Sequence, residues 1–137
     1  MQESKAISPE AIEKAPDCGG AYLLAMQFHR PVEFSFQRRN HVLAPGFYVY
    51  SGSAYGPGGI RARLRRHFRR DKKLHWHVDR LTTIADAIHA IAVASGSECE
   101  LVSRLTSSGS FLFPLEGFGS SDCTICRSHL LGWRDDA

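Results

Sequence analysis

The sequence lacks any apolar run approaching the roughly 18 residues that a membrane-spanning helix needs, so we expect no membrane contact. Cysteine is scarce, with four residues in 137, and the first 17 residues lack the apolar segment of a secretory signal. We therefore expect a cytoplasmic protein whose cysteines stay reduced. Residues 1–17 mix charge with Pro9 and Pro16 and predict a flexible arm, and residues 18–137 predict one folded domain.

Acidic residues are nearly absent from one stretch, residues 61–73, which holds eight of the 17 basic residues and a single acid, Asp71. That stretch carries +7, so the rest of the chain carries −4. A cationic block on an acidic body favours a polyanion-binding surface over a solvated helix face. The residues predicted to contact DNA are Arg61, Arg65, Arg66, Arg69, Arg70, Lys72 and Lys73.

The apolar patterning predicts an α+β fold: a small three-stranded antiparallel sheet flanked by helices, in a single domain. Three strands are predicted at 21–28, 32–37 and 47–51, with a turn at 38–40 and short connections typical of a meander. A helix is predicted from Ile60 to Arg70 and a short helix at 74–81. Residues 84–93 favour a strand, and Ser97 begins a further helix that runs to about Leu105.

Two tyrosine–glycine triplets stand on the predicted strands, Gly20-Ala21-Tyr22 on the first and Tyr50-Ser51-Gly52 on the third. In each, glycine permits a close approach and tyrosine supplies a hydroxyl beside it, although a tyrosine in a strand more often belongs to the core. On the following helix, Arg63 and His67 flank the apolar stripe on one side. A guanidinium in that position can bind a phosphate through two hydrogen bonds.

Glu98 is the fourth candidate. In Ser97-Glu98-Cys99-Glu100, Ser97 fits an N-cap and Glu100 fits the third helical position of a capping box, which leaves Glu98 without a capping role. Glu98 shares a helix face with Leu101, Val102 and Leu105, so it points inward. Such a carboxylate either binds a divalent cation or simply interacts with the helix dipole.

The ordered set Gly-x-Tyr, Tyr-x-Gly, Arg63 four residues before His67, and Glu98-x-x-Leu101-Val102 resembles the GIY-YIG endonuclease superfamily. It is most similar to a prokaryotic branch that was first catalogued as a domain of unknown function and is sometimes fused to endonuclease III. That likeness covers about residues 18–132 and is carried by Gly46-Phe47-Tyr48-Val49-Tyr50-Ser51-Gly52-Ser53-Ala54, Gly56-Pro57-Gly58-Gly59, His75-Trp76-His77-Val78-Asp79, Glu98-Cys99-Glu100-Leu101 and Gly117-Phe118-Gly119-Ser120-Ser121-Asp122-Cys123.

The resemblance implies a metal-dependent endonuclease that acts on DNA, in DNA repair or processing, with other DNA-repair proteins as candidate partners. It implies the catalytic residues Tyr22, Tyr50, Arg63, His67 and Glu98, with Glu98 binding one Mg²⁺ or Mn²⁺ ion. We expect Arg63 to hold a phosphate oxygen and Tyr50 to orient the water or the phosphate. Tyr22 would position or deprotonate the water, helped by the cation and Arg63 or by a proton relay to His67.

Two other functions remain open at this level. The basic stretch would equally suit a nucleic-acid-binding module without catalysis. Alternatively, Cys123, Cys126 and His129, with His75 or His77, could bind a structural Zn²⁺ and form an interaction domain. The simpler interpretation is that the cysteines are reduced core residues and that the histidines are hydrogen-bonded near the active-site face.

Overall fold

The computed structural model describes residues 6–74, 76–112 and 128–133, and these form one α+β domain of antiparallel sheets and a few helices. The elements are β1 (Ala6–Ile7), a 3₁₀ helix (Pro9–Lys14), β2 (Gly20–Phe28), β3 (Val32–Phe36), β4 (Arg39–Leu43), β5 (Gly46–Ala54), α1 (Gly59–Phe68), α2 (Asp79–Thr82), β6 (Ala87–Ala94), α3 (Glu98–Ser107), β7 (Phe111–Leu112) and β8 (Leu130–Trp133). None of the helices in these ranges is long and apolar enough to cross a membrane. The predicted α+β class is confirmed.

The main sheet has six strands in the order β1-β6-β2-β5-β8-β7, and β3 and β4 form a separate two-stranded hairpin. The predicted three-stranded meander is therefore wrong in its connectivity. β2 pairs with β5 along its whole length and with β6 over residues 20–27, and β3 pairs with β4 instead. The predicted turn at 38–40 also shifts, because Gln37 and Arg38 make the turn while Arg39 begins β4. The strand favoured for 84–93 is confirmed as β6.

The hairpin leaves the main sheet because its inner face is apolar. Val32, Phe34 and Phe36 alternate with exposed residues along β3. They pack in one buried cluster with Val78, the N-cap residue of α2, and Leu81 of α2. Burial of that face against a helical segment replaces the edge-to-edge pairing that the meander would have required.

Residues 6–17 do not form the flexible arm that the charge and proline content predicted. β1 pairs with β6, and the 3₁₀ helix packs against α1. Ile7 and Ala15 are buried in a second apolar cluster with Ile60 and Leu64 of α1. Ile7, Ala15 and the partly buried Ile12 are thus enough to anchor this polar segment to the domain. Residues 1–5 lie outside the described part of the chain.

One face of β2 carries both apolar clusters. Tyr22, Leu24, Met26 and Phe28 alternate along the strand and are all at most 2% exposed. Tyr22 and Leu24 belong to the cluster under α1, and Met26 and Phe28 to the cluster under the hairpin. Tyr50 packs against both clusters, so it marks the junction at which the candidate site lies.

Candidate active site

Tyr22 sits between a glycine and a histidine. Gly52 is its cross-strand partner in the β2–β5 ladder, and a Cβ added to Gly52 would overlap the Tyr22 hydroxyl and ring. Because Gly52 has no side chain, the Tyr22 ring can pack against β5 at that position. The Tyr22 hydroxyl then lies 2.7 Å from Nε2 of His67. The tyrosine–glycine triplet therefore has a physical basis: glycine makes room for the phenol of the neighbouring strand.

His67 is fully buried and neutral. Burial and, to a smaller extent, the nearby Lys72 lower its pKa to about 3, and Asp79 partly opposes the shift. Burial also raises the pKa of Tyr22 well above its usual range, so the phenol keeps its proton. We assign Tyr22 as the donor and Nε2 of His67 as the acceptor, since the Arg63 guanidinium beside Tyr22 cannot accept a proton. Within the described ranges, Nδ1 of His67 has no hydrogen-bond partner.

Tyr50 lies on the other side of the same histidine, with the two ring centroids 6.4 Å apart in a T-shaped arrangement. Burial raises the pKa of Tyr50 to about 12, Glu98 adds to this shift, and Arg63 opposes it. The same carboxylate and guanidinium act in the same directions on Tyr22. Glu98 and Arg63 therefore both lie within electrostatic range of the pair of phenols.

Glu98 approaches from α3. Ser51 faces the side of β5 opposite to Tyr50, and its hydroxyl donates a 2.8 Å hydrogen bond to the backbone oxygen of Glu98, which ties the start of α3 to the sheet. The Glu98 side chain is 31% exposed, and its Oε2 lies 3.5 Å from Nδ1 of the buried His129. His129 in turn lies 3.7 Å from Sγ of Cys99 through Nε2.

The start of α3 is capped in part as the sequence predicts. The Ser97 hydroxyl accepts a hydrogen bond from the backbone N–H of Glu100, which confirms Ser97 as the N-cap. The Glu100 carboxylate, however, pairs with Arg104 one turn later instead of turning back to Ser97. Glu98 and Glu100 thus have different surroundings although they are two residues apart.

Arg63 stacks on the ring of Trp76, a residue that is not among the predicted site residues. Its guanidinium carbon lies 4.5 Å from the centre of the Trp76 ring, and that of Arg66 lies 4.1 Å from it. The buried Asp79 fixes this arrangement, because it accepts two hydrogen bonds from Arg66 at 2.8 and 2.9 Å and one from the Trp76 backbone N–H. The signal was the motif from His75 to Asp79, which places the tryptophan three residues before the aspartate.

The basic stretch is less available to a polyanion than its composition suggested. Lys72 is 5% exposed and donates to the carbonyl oxygens of Arg66 and His67 and to the Thr82 hydroxyl, so it caps the end of α1 instead of facing solvent. The expected DNA contact by Lys72 does not agree with this burial. Burial lowers the pKa of Lys72 to about 8, and Asp79 opposes that shift.

The other arginines of the stretch are partly engaged. Arg65 pairs with Glu13 at 2.7 Å, and Arg66 with Asp79. The Arg61 and Arg70 side chains donate to backbone oxygens of Ala15 and Ala85. Arg69 lies 3.9 Å from Asp71 on the surface, and Lys73 is exposed. Apart from Asp71, these partners lie outside residues 61–73, so a local count of charges could not reveal them.

In the described part of the chain, no group of three or more His, Cys, Asp or Glu side chains could hold a metal ion. A single partly exposed carboxylate, Glu98, does fit Mg²⁺, which binds through one or two carboxylates and keeps several water ligands. The zinc hypothesis rests mainly on His75, Cys123 and Cys126, which lie outside the described residues. Of its other candidates, His77 packs edge-on against Phe36, and His129 lies beside Glu98.

The structure therefore brings together Tyr22, Tyr50, Arg63 and His67 and places Glu98 within electrostatic range of the two phenols. We call these five residues the tyrosine cluster. Four separate elements contribute to it: β2, β5, α1 and α3. The cluster combines a cation suited to an oxyanion, a carboxylate open to solvent and two protonated phenols. Comparison with known proteins finds one family model, described as "Domain of unknown function DUF123", which matches residues 21–137. No curated protein and no solved structure matches.

Proposed function

The chain belongs to the DUF123 family, whose description assigns no activity, and we propose that it is a metal-dependent endonuclease of the GIY-YIG type that hydrolyses DNA phosphodiester bonds. The observation that carries this proposal is the convergence of the tyrosine cluster from four elements that are far apart in sequence. A structural core would not need an arginine, a glutamate and two hydroxyls at one point, because each buried polar group costs free energy unless it is paired.

Phosphate binding is assigned to Arg63. Stacking on Trp76 restricts its guanidinium, and Asp79 holds Trp76 in place by accepting a hydrogen bond from the Trp76 backbone N–H. Arg63 also lines a small open pocket with Pro57 and Arg66. A restrained guanidinium beside an open pocket loses little entropy when it makes two parallel hydrogen bonds to a phosphate. Arg63 would then counter the charge that develops on the phosphate oxygens in the transition state.

Glu98 is assigned to one Mg²⁺ or Mn²⁺ ion. Its carboxylate is open enough to retain a hydrated cation, and His129 on its inner side limits its rotation. Such a cation, when bound, would stabilise negative charge on the phosphate and on the leaving oxygen. Ser51 holds the helix start at the sheet, and the carboxylate acts electrostatically on Tyr22 and Tyr50 from there.

The two phenols are assigned to orientation of the attacking water, not to its deprotonation through His67. A relay that ended on His67 would protonate a group with a pKa of about 3 at neutral pH, which costs about 5 kcal/mol. The neutral imidazole instead accepts a hydrogen bond from the Tyr22 hydroxyl, which leaves a phenol lone pair for the water. Tyr50, which is more exposed than Tyr22, is the second contact for that water or for the phosphate.

One observation favours a second candidate, a nucleic-acid-binding module without catalysis. Tyr22 is only 2% exposed, and its hydroxyl is already bonded to His67. A phenol so enclosed suits a structural role, with Arg63 alone serving to bind phosphate. The two candidates differ in one respect that can be measured, which is metal-dependent cleavage.

The test is a panel of end-labelled DNA structures: single strand, duplex, flap and branched junction. Each is incubated with the protein in Mg²⁺, in Mn²⁺ and in EDTA. The proposal predicts discrete products from at least one structure with metal and none in EDTA. Binding without cleavage of any structure in either metal would support the binding module. The absence of both binding and cleavage would contradict both candidates.

A further inference from the structure

The turn of the β3–β4 hairpin has an unusual backbone for its residues. Gln37 and Arg38 both have left-handed conformations, with φ values of 52° and 63°. Two-residue hairpin turns of this kind favour Asn-Gly or Gly-Gly, because residues with a larger side chain are strained there. Neither residue is glycine, asparagine or aspartate. An arginine kept in a strained turn is a reason to look for a function that its side chain performs.

The hairpin end is connected to the tyrosine cluster through packed rings. Phe36, the last residue of β3, packs edge-on against His77 with centroids 4.7 Å apart. His77 follows Trp76, whose ring is 5.6 Å from that of His67 and carries the Arg63 guanidinium. The turn therefore lies next to the Trp76 side of the cluster.

The register of the β3–β4 pair places the Arg39 side chain on the Trp76 side. Arg39 is the direct partner of Phe36 in the hairpin, and directly paired residues project from the same face. Phe36 faces His77, so the Arg39 side chain leaves the hairpin on the face that is turned toward the domain. Both Arg38 and Arg39 are nevertheless exposed.

These two arginines also differ from the basic residues of α1 in their pairing. Arg65, Arg66 and Arg69 each have a carboxylate within 4.0 Å. Across the part of the chain that the structure describes, Arg38 and Arg39 have no ion-pair partner, and residues 34–43 contain no acid. Their charge is therefore not neutralised by the protein, which suits them to an external anion.

We propose that Arg38 and Arg39 form a second phosphate-contacting site, so that a DNA strand bound at the tyrosine cluster continues past His77 onto the hairpin turn. This inference rests on the proposed function. The contacts are to the backbone and carry no sequence preference, since guanidinium groups at a turn reach phosphates without reading bases. They contribute to binding but not to the chemical step.

The test compares Arg38→Gln/Arg39→Gln with Arg30→Gln, which removes an exposed arginine at the opposite end of the same hairpin. Binding to a labelled duplex is measured by fluorescence anisotropy at salt concentrations from about 0.05 M to about 0.4 M. Loss of two phosphate contacts should flatten the plot of log Kd against log salt by about 1.8. If the lines meet at 1 M salt, affinity at 0.1 M falls by about 60-fold. Each Arg30→Gln value should remain close to that of the parent.

The outcomes separate the two proposals. If the parent binds DNA and Arg63→Gln weakens it, but the Arg38→Gln/Arg39→Gln protein keeps the parent slope, the hairpin site is wrong and the proposed function stands. If the parent binds no DNA, both are wrong. When cleavage is measured, the double variant should raise KM and leave kcat unchanged, because the contact is made equally in the ground and transition states. A fall in kcat alone would contradict the assignment to binding.

Discussion

Gly52→Ala should displace Tyr22 and so disrupt the tyrosine cluster. The new Cβ would lie closer than 3.0 Å to three Tyr22 atoms, a separation that real Cβ atoms essentially never show. Those atoms belong to a buried ring and not to a flexible chain end, so the ring itself must move. A shift that relieves the overlap breaks the 2.7 Å contact between the Tyr22 hydroxyl and His67.

The free energy of unfolding should therefore fall for two reasons. Overpacking of a buried site costs about 1–3 kcal/mol. Separation of the Tyr22 hydroxyl from its buried partner adds about 1–3 kcal/mol, because water cannot replace the lost hydrogen bond. We expect a total of about 2–6 kcal/mol by urea unfolding. Cleavage should fall by about 100-fold even where the variant is folded, since an ångström of misplacement has that effect.

Two comparisons make this prediction sharp. Gly56→Ala adds the same methyl group where nothing lies within 4 Å, so its stability should stay within about 0.5 kcal/mol of the parent. Tyr22→Leu removes the overlapping ring edge, so Gly52→Ala should cost much less in a Tyr22→Leu background. Equal costs of Gly52→Ala in the two backgrounds would refute the argument that position 52 is a glycine to accommodate Tyr22.

Two further predictions concern the groups behind the cluster. The His67 pKa is lowered to about 3 in the folded state, so the unfolded chain binds the extra proton and stability is lost as pH falls from 6.5 toward 3. Between pH 6.5 and 4.5 the parent should lose about 2–3 kcal/mol more than His67→Gln in urea unfolding, and identical losses would show that the histidine is not buried as a neutral ring. Asp79→Asn leaves Arg66 and the buried Lys72 without their carboxylate and should cost about 3–5 kcal/mol. A cost below about 1 kcal/mol would mean that Asp79 does not organise the Trp76 region.

Local patterns predicted the elements that carry the cluster. An apolar run of strand length located β2, flanking glycines bounded β5, and the spacing of Ile60 and Leu64 located α1. The Ser97 N-cap fixed where α3 begins and hence where Glu98 stands. These signals act over a few residues, which is why sequence reasoning could use them.

Features that depend on distant pairing were missed. Whether Val32–Phe36 joins the main sheet depends on Val78 and Leu81, which lie more than 40 residues later. The availability of Arg65 and Arg66 depends on Glu13 and Asp79, which the local composition of residues 61–73 cannot show. Lys72 looked like a surface charge because a lysine usually is one, whereas here it satisfies carbonyl oxygens at the end of α1.

The proposal that Glu98 holds the cation of an endonuclease is tested most directly by comparing DNA cleavage by Glu98→Gln and Glu100→Gln in Mg²⁺. Glu98→Gln keeps the volume of the side chain but removes the charge that a cation needs, whereas Glu100 pairs with Arg104 on the surface. We expect Glu98→Gln to lose several orders of magnitude in cleavage rate while DNA binding is kept or strengthened. Glu100→Gln should cleave almost as the parent does and lose at most about 1 kcal/mol of stability. Parent-like cleavage by Glu98→Gln would contradict the mechanism, and loss of cleavage only in Glu100→Gln would show that the wrong glutamate was assigned.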